Sequence, residues 1–273
     1  MRAVSWATGQ LTGSGSVRVP GVLVLDFDGV ICDSWRECAF ITWAGQHGWA
    51  PAEFGASAFP AIPGAFIQRF LALRGYARHL GHFLVPVLPS SEQISCRADF
   101  DCYYAGLASE VVATFIERAL KFRASIRNRH REQWLAFHVL YDGVPEVLSS
   151  LSDRLYIVTA RDRQLVRELL ATHGIAVQPE RIYGEQRSKG AALRDIQARE
   201  HVGAHFVDDD LDDVVAVQRD HHRAVWALWG YSAPEDRARA CRLGIPVLSL
   251  PELPAAALSV IGDPIAPAHI QAS

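Results

Sequence analysis

Short runs of consecutive apolar residues punctuate the chain: VLVLD at 22–26, LYIVTA at 155–160, AHFVDD at 204–209 and AVWALWG at 224–230, with a weaker RIYG at 181–184. A strand that is apolar on both faces must be covered on both faces, as in a buried parallel sheet. Between the later runs the apolar period lengthens to that of a helix. DRQLVRELLATHG from Asp162 and KGAALRDIQAREHVG from Lys189 each end in a glycine expected to close the last turn. Strands alternating with helices predict an α/β fold, a Rossmann-like doubly wound parallel sheet with right-handed crossovers.

The interval between the first two strands breaks this alternation. From Ser34 to Leu155 the pattern is almost entirely helical, in WRECAFITWAGQHG, in GAFIQRFLALRGYARHL and in a long stretch from Ser109 to about Tyr141. Residues 35–141 therefore read as an inserted all-helical cap subdomain, set between core segments 21–34 and 142–251. VPEVLSSL at 144–151 returns the chain to the sheet. Turn-forming residues at both connections, Asp33-Ser34 and Asp142-Gly143, predict hinges on which the insert closes over a site. Residues 1–20 read as a flexible leader and the Pro/Ala-rich residues 252–273 as a mobile tail.

The 273 residues are 49% hydrophobic and 21% charged, enough for one large domain or two modest ones with a real core. A net charge of -3 gives no overall electrostatic pull toward nucleic acid or an anionic membrane. No apolar run approaches the roughly 20 residues that span a bilayer. The five cysteines, Cys32, Cys38, Cys96, Cys102 and Cys241, are odd in number and match no zinc spacing. They are expected to be buried reduced thiols in a cytoplasmic protein.

In an open α/β sheet, ligands bind beyond the carboxyl ends of the strands, near the point where strand order reverses. The first strand ends in Asp26-Phe27-Asp28, the second in Thr159-Ala160-Arg161, and the fourth in Asp208-Asp209-Asp210, with Asp212 and Asp213 following. Lys189 opens the helix between the last two. Taken alone, Thr159 reads as an ordinary strand residue and Lys189 as a solvated helix start, whereas an apolar strand running into two acids, Asp26 and Asp28, argues against a mere turn with caps. Together they place acid, hydroxyl and base on one sheet edge.

This ordered set resembles the four motifs of the haloacid dehalogenase-like superfamily of hydrolases: DFDGV, the strand-end Thr159 in IVTAR, Lys189, and FVDDDLDDV. The phosphatase branch with a helical cap, which includes phosphoglycolate phosphatases, is the most similar. The chain departs from the usual pattern at Asp208, where many members have glycine, and at Gly190, where proline is common after the lysine.

Two carboxylates held close repel each other unless a cation compensates, and hard oxygen ligands suit Mg²⁺. The resemblance implies that Asp26 and Asp209 supply carboxylate oxygens to that ion and Asp28 its backbone carbonyl, with Asp213, one helical turn on, as an outer support. It further implies that Asp26 is the nucleophile, forming an aspartyl-phosphate. Asp28 would be the general acid and base, Thr159 would hold a phosphoryl oxygen, and Lys189 would neutralise Asp26 and the phosphate.

Arg161, two residues past Thr159, shares its strand face and is a candidate for meeting substrate, as are Arg69 and Arg74 in the insert. Arg123, Arg127 and Arg131 read as a solvated helix stripe. The function implied is a Mg²⁺-dependent phosphatase acting on a small phosphorylated metabolite, with neither nucleic acid nor membrane as partner. Three alternatives fit the residues less well. A dehalogenase needs neither Asp28 nor Asp209, a sugar-phosphate mutase carries a histidine where Cys38 stands, and a non-catalytic ligand-binding pseudo-phosphatase would not need an intact set.

Overall fold

The computed structural model describes residues 21–48 and 61–261. The expected leader thus lies outside the described residues. In chain order the elements are β1 (Val22–Leu25), β2 (Cys32–Asp33), α1 (Trp35–His47), α2 (Gly64–Leu73), α3 (Arg97–Ala105), α4 (Ser109–Arg129), α5 (Arg131–Leu135), β3 (Val139–Leu140) and α6 (Val144–Ser150). Then follow β4 (Leu155–Val158), α7 (Arg163–Thr172), β5 (Ile182–Tyr183), α8 (Lys189–Glu200), β6 (Ala204–Asp208), α9 (Leu211–Arg219), β7 (Arg223–Ala227), α10 (Asp236–Leu243), β8 (Val247–Leu248) and α11 (Leu253–Ile261). Short 3₁₀ turns join several of them.

The chain divides into two compact units. The first holds the described residues of 1–31, 141–229 and 245–273, and its centre is a six-stranded sheet of order β5-β4-β1-β6-β7-β8. All five strand pairings are parallel, as the doubly apolar runs predict. Val24 pairs with Tyr156 on one side and Phe206 on the other, and all three are fully buried. Burying a side chain of this size stabilises by about 1.5–3 kcal/mol, so the central strands anchor the unit. The chain runs outward from β1 through β4 and β5, then returns to β6 on the other side. The end of β1 is therefore the switch point.

The helices covering this sheet follow their sequence signals. In α7, Leu165, Val166, Leu169 and Leu170 form one buried face, and Asp162 caps the helix by accepting from the Leu165 N–H at 2.7 Å. Such a cap stabilises by about 1 kcal/mol. Gly174 beyond α7 takes the left-handed conformation expected of it, but α8 ends differently. There His201 rather than Gly203 adopts positive φ, at 55°. The tail also departs from expectation. LPAAALSVI folds into α11, which buries Leu253, Ala257 and Val260, and the Val260 carbonyl accepts from the Gly21 N–H at 2.8 Å. A run with so few polar side chains gains more by packing than by staying solvated, so only 262–273 of the expected mobile tail lies outside the described residues.

The second unit holds the described residues of 32–140 together with 230–244. Its helices are α1 to α5 and α10, and β2 pairs with β3 in an antiparallel ribbon, Cys32 opposite Leu140. On α1, Glu37 is fully buried and takes a two-point ion pair from Arg123 of α4, at 2.7 and 3.2 Å. Arg127 stacks over Trp134 at 5.9 Å. Of the expected solvated stripe, Arg123 is therefore structural, because a buried carboxylate needs a charged partner, and Arg127 covers an aromatic face.

Residues 230–244, expected in the core segment, belong instead to this unit. Tyr231 donates its hydroxyl to Asp33 and accepts from the Ser34 N–H, both at 2.8 Å. Glu235 accepts from the Arg97 N–H at 2.7 Å, and Ala233 packs into a cluster with Leu73, Tyr76, Val85 and Phe100. Of the cysteines, all free, only Cys32 and Cys38 are buried, while Cys102 and Cys241 are exposed. The expectation of five buried thiols fails where the residue falls on a solvent face of α3 or α10.

Candidate active site

Each strand of the central trio delivers polar groups where it stops. β1 runs into Asp26, whose N–H donates to the Val207 carbonyl and so continues the ladder one residue past the strand. The turn after it needs Gly29, at φ 88°, because a β-carbon there would stand 2.1 Å from Oδ2 of Asp209. β4 delivers Thr159, whose N–H donates to Tyr183 and whose carbonyl accepts from Gln186, each at 2.9 Å. Its hydroxyl oxygen accepts from the Arg161 N–H at 3.2 Å, which leaves the hydroxyl hydrogen to donate elsewhere.

β6 delivers Asp208 and Asp209. The Asp209 carbonyl accepts from the indole N–H of Trp226 at 2.8 Å, across the β6–β7 pairing. Asp210 is the N-cap of α9, accepting from the Asp212 N–H at 2.8 Å. Asp208 in turn accepts from the Asp210 N–H at 2.9 Å.

Lys189 joins these ends. Its buried ammonium lies 2.5 Å from Oδ1 of Asp26, 3.0 Å from the Val158 carbonyl and 4.0 Å from Oδ2 of Asp208. Burial alone would push the ammonium pKa down, but the charges of Asp26 and Asp208 outweigh that and raise it. Burial pushes the Asp26 carboxyl up, with Asp28 adding to the rise and Lys189 opposing it. Burial lifts Asp208 well above the usual carboxylate range, and the Asp26 charge reinforces it.

Asp26, Asp208 and Asp209 each offer a carboxylate oxygen within 4.8 Å of the others. Three buried carboxylates converge, two of them beside the Lys189 ammonium, and Oδ2 of Asp208 is buried with no hydrogen-bond partner among the described residues. A hard divalent cation such as Mg²⁺ fits this donor set by charge and by ligand chemistry.

Asp28 lies beside this cluster and is held by Arg161, whose Nε and second terminal nitrogen reach the two carboxylate oxygens at 2.8 and 2.7 Å. The structure thus brings Asp26, Asp28, Thr159, Lys189, Asp209 and Arg161 to one edge of the first unit, as the strand ends predict. Arg161, a candidate for meeting substrate, has the Asp28 carboxylate as a partner. Asp213, expected as an outer support, is not one of the three converging carboxylates, and its charge raises both Lys189 and Asp208. The third carboxylate is Asp208, which nothing in the aspartate run singles out from its neighbours.

The remaining candidates, Arg69 and Arg74, lie in the second unit. Arg69 donates to the Pro86 carbonyl at 2.8 Å and pairs with Glu92 at 3.8 Å. Arg74 stacks over Tyr231 at 3.9 Å and over Phe83 at 5.2 Å.

No family model matches the sequence, and no curated relative does. Solved structures do match. A predicted phosphatase from Clostridium acetobutylicum superposes with a TM-score of 0.55 at 16% identity, over 88% of this chain and 99% of that one. A haloacid dehalogenase-like family hydrolase from Streptococcus pneumoniae gives 0.52 at 15% identity, over 87% and 97%. A predicted phosphoglycolate phosphatase from Haemophilus somnus gives 0.51 at 17%, over 81% and 90%.

The chain has the haloacid dehalogenase-like fold. At such identities the fold is what the similarity carries, and the residues at the strand ends must speak for the chemistry. In this fold the end of β1 is the switch point described above, and Asp26 occupies it.

Proposed function

We propose that the chain is a Mg²⁺-dependent phosphatase that hydrolyses a small phosphomonoester through an aspartyl-phosphate on Asp26. One observation carries the reading: Asp26, at the end of the central strand, touches Lys189 while converging with Asp208 and Asp209. A nucleophile for phosphorus, a cation to offset the phosphate, and a donor set for a divalent ion meet at one carboxylate. The solved structures of the same fold that are described as phosphatases support it.

In the first step an Asp26 oxygen attacks phosphorus, the bond to the leaving oxygen breaks, and Asp28 gives that oxygen a proton. In the second, Asp28 takes a proton from water, whose oxygen attacks phosphorus. The bond to Asp26 then breaks, which restores the carboxylate and frees phosphate. Splitting one displacement in two lowers each barrier. Thr159, with its hydroxyl hydrogen available, and the Lys189 ammonium hold phosphoryl oxygens throughout. Asp26, Asp208, Asp209 and the Asp28 carbonyl would hold Mg²⁺, which when bound offsets the charge developing on the phosphoryl oxygens.

A dehalogenase would need neither an acid at position 28 nor the carboxylate cluster, so both features favour phosphorus over carbon. Among the described residues no helix is long and apolar enough to cross a membrane. A cytoplasmic location and a small phosphorylated metabolite as partner remain part of this proposal. The test is phosphate release by the purified full chain from a panel of phosphorylated metabolites and 4-nitrophenyl phosphate, with Mg²⁺ and with chelator. Mg²⁺-dependent release is expected. Halide release from a haloacid in chelator, with no phosphate from any ester, would overturn the reading.

A further inference from the structure

We propose that Arg161 is a positioning residue for Asp28, fixing the carboxylate where it exchanges protons with the leaving group and with water. The proposal rests on the phosphatase reading above and goes beyond it by giving Asp28 a dedicated holder.

The pair is a fork against a fork, with Nε on Oδ2 at 2.8 Å and a terminal nitrogen on Oδ1 at 2.7 Å. Two parallel charged hydrogen bonds fix the plane of a carboxylate as well as its position. The two partners differ in exposure: the Arg161 side chain is 8% exposed and that of Asp28 25%. The guanidinium is thus the anchored member, and the carboxylate is the more exposed one.

The backbone around Arg161 is pinned from three directions. Its N–H donates to the Thr159 hydroxyl at 3.2 Å, and its carbonyl accepts from the Glu185 N–H at 3.0 Å. The next residue, Asp162, caps α7. The loop after β5 comes so close that a β-carbon on Gly184 would stand 2.6 Å from the Arg163 nitrogen and 2.9 Å from the Arg161 carbonyl oxygen. The guanidinium carbon also lies 5.9 Å from the centre of the Phe27 ring, on the turn that carries Asp28.

Each carboxylate oxygen has two lone-pair directions, and the fork uses one on each. A displacement of the carboxylate by about 1 Å from productive geometry costs on the order of 10²-fold in rate. Lysine would keep the charge and lose the planar grip.

The experiment is a double-mutant cycle on 4-nitrophenyl phosphate, combined with inhibition by inorganic phosphate. Arg161→Ala should lower kcat by about 10²-fold while the inhibition constant for phosphate moves less than about threefold. In an Asp28→Asn background the same substitution should cost less than about twofold, because nothing remains to be positioned. Arg161→Lys, which is the more conservative change, should show the same pattern in weaker form should the alanine variant fold poorly.

A tenfold or greater loss of phosphate affinity would make Arg161 a direct phosphoryl contact and overturn the proposal. An equal kcat loss with and without Asp28, or no loss at all, would overturn it as well. These outcomes leave the phosphatase reading standing if the parent enzyme is active. A parent with no activity on any phosphate ester takes both down.

Discussion

Gly29 and Asp209 share one volume. A β-carbon on the glycine would stand 2.1 Å from Oδ2 and 2.4 Å from the carboxylate carbon of Asp209, so the turn after β1 exists in this form only because residue 29 has no side chain. The aspartate that completes the carboxylate cluster is thereby fixed from the opposite side of the switch point. Gly29→Ala is expected to push Asp209 aside and to strain a backbone at φ 88° by about 1–3 kcal/mol. Mg²⁺ binding measured by calorimetry should weaken at least about tenfold, a loss of about 1.4 kcal/mol in binding. Unchanged affinity would show that Asp209 is not a ligand.

Asp208 has an orphaned buried oxygen and a carboxyl raised well above its usual range, chiefly by burial. Asp208→Asn should therefore raise the melting temperature of the metal-free protein, since one of three crowded buried charges is removed. The same variant should gain less from saturating Mg²⁺, because stabilisation by a ligand scales with its affinity for the folded state. Thermal melts in chelator and in Mg²⁺ measure both. A variant less stable in chelator and equally stabilised by the ion would refute the charge argument.

Two histidines predict how stability responds to acid. Burial lowers His205 on β6 to about 4, with Arg223 adding to the effect. Burial, then His79, lowers His82 in the helical unit to about 4. Both are neutral when folded at pH values where an unfolded chain would protonate them. Their stabilisation is fully present above about 6.5 and is lost as pH falls toward about 4. Urea midpoints at pH 7.5 and pH 5 should differ, and His205→Gln should flatten the dependence. A profile unchanged in that variant would mean His205 does not drive it.

Arg74 and Arg69 should behave differently when truncated. Arg74 lies over Tyr231 and Phe83, and losing a stacked guanidinium costs about 1–2 kcal/mol. Arg74→Ala is therefore expected to lower the unfolding midpoint. Among the described residues Arg69 makes one backbone hydrogen bond and a long ion pair with Glu92, so Arg69→Ala should leave the midpoint within about 0.5 kcal/mol of the parent. If Arg69 meets a second anionic group on the substrate, its loss raises KM for that substrate and spares 4-nitrophenyl phosphate. Equal KM values on both would remove Arg69 from the substrate.

What the sequence disclosed, it disclosed through burial. Strands such as VLVL and LYIV are apolar on both faces because helices cover both, and their ends point to Asp26 and Thr159 with no ambiguity of register. The aspartate run after β6 carries no such signal. Asp208, Asp209 and Asp210 are chemically identical in sequence, and only the turn into α9 decides that one caps the helix while the other two join Asp26. The grip of Arg161 on Asp28 joins residues 133 positions apart and has no periodic signature. The same is true of residues 230–244, whose local pattern reads as one more connection in the sheet while their partners are Asp33, Ser34 and Arg97.

The helical unit is written in two instalments, and the second leaves the ribosome only after β4, β6 and β7 have been synthesised. Until then the cluster of Leu73, Tyr76, Val85 and Phe100 lacks Ala233, and the Arg97 N–H lacks Glu235. A nascent chain that has delivered only the first instalment carries an unclosed apolar surface for about as long as the sheet takes to emerge. Grafting this unit onto another sheet by moving its long segment alone would leave the same surface open for good.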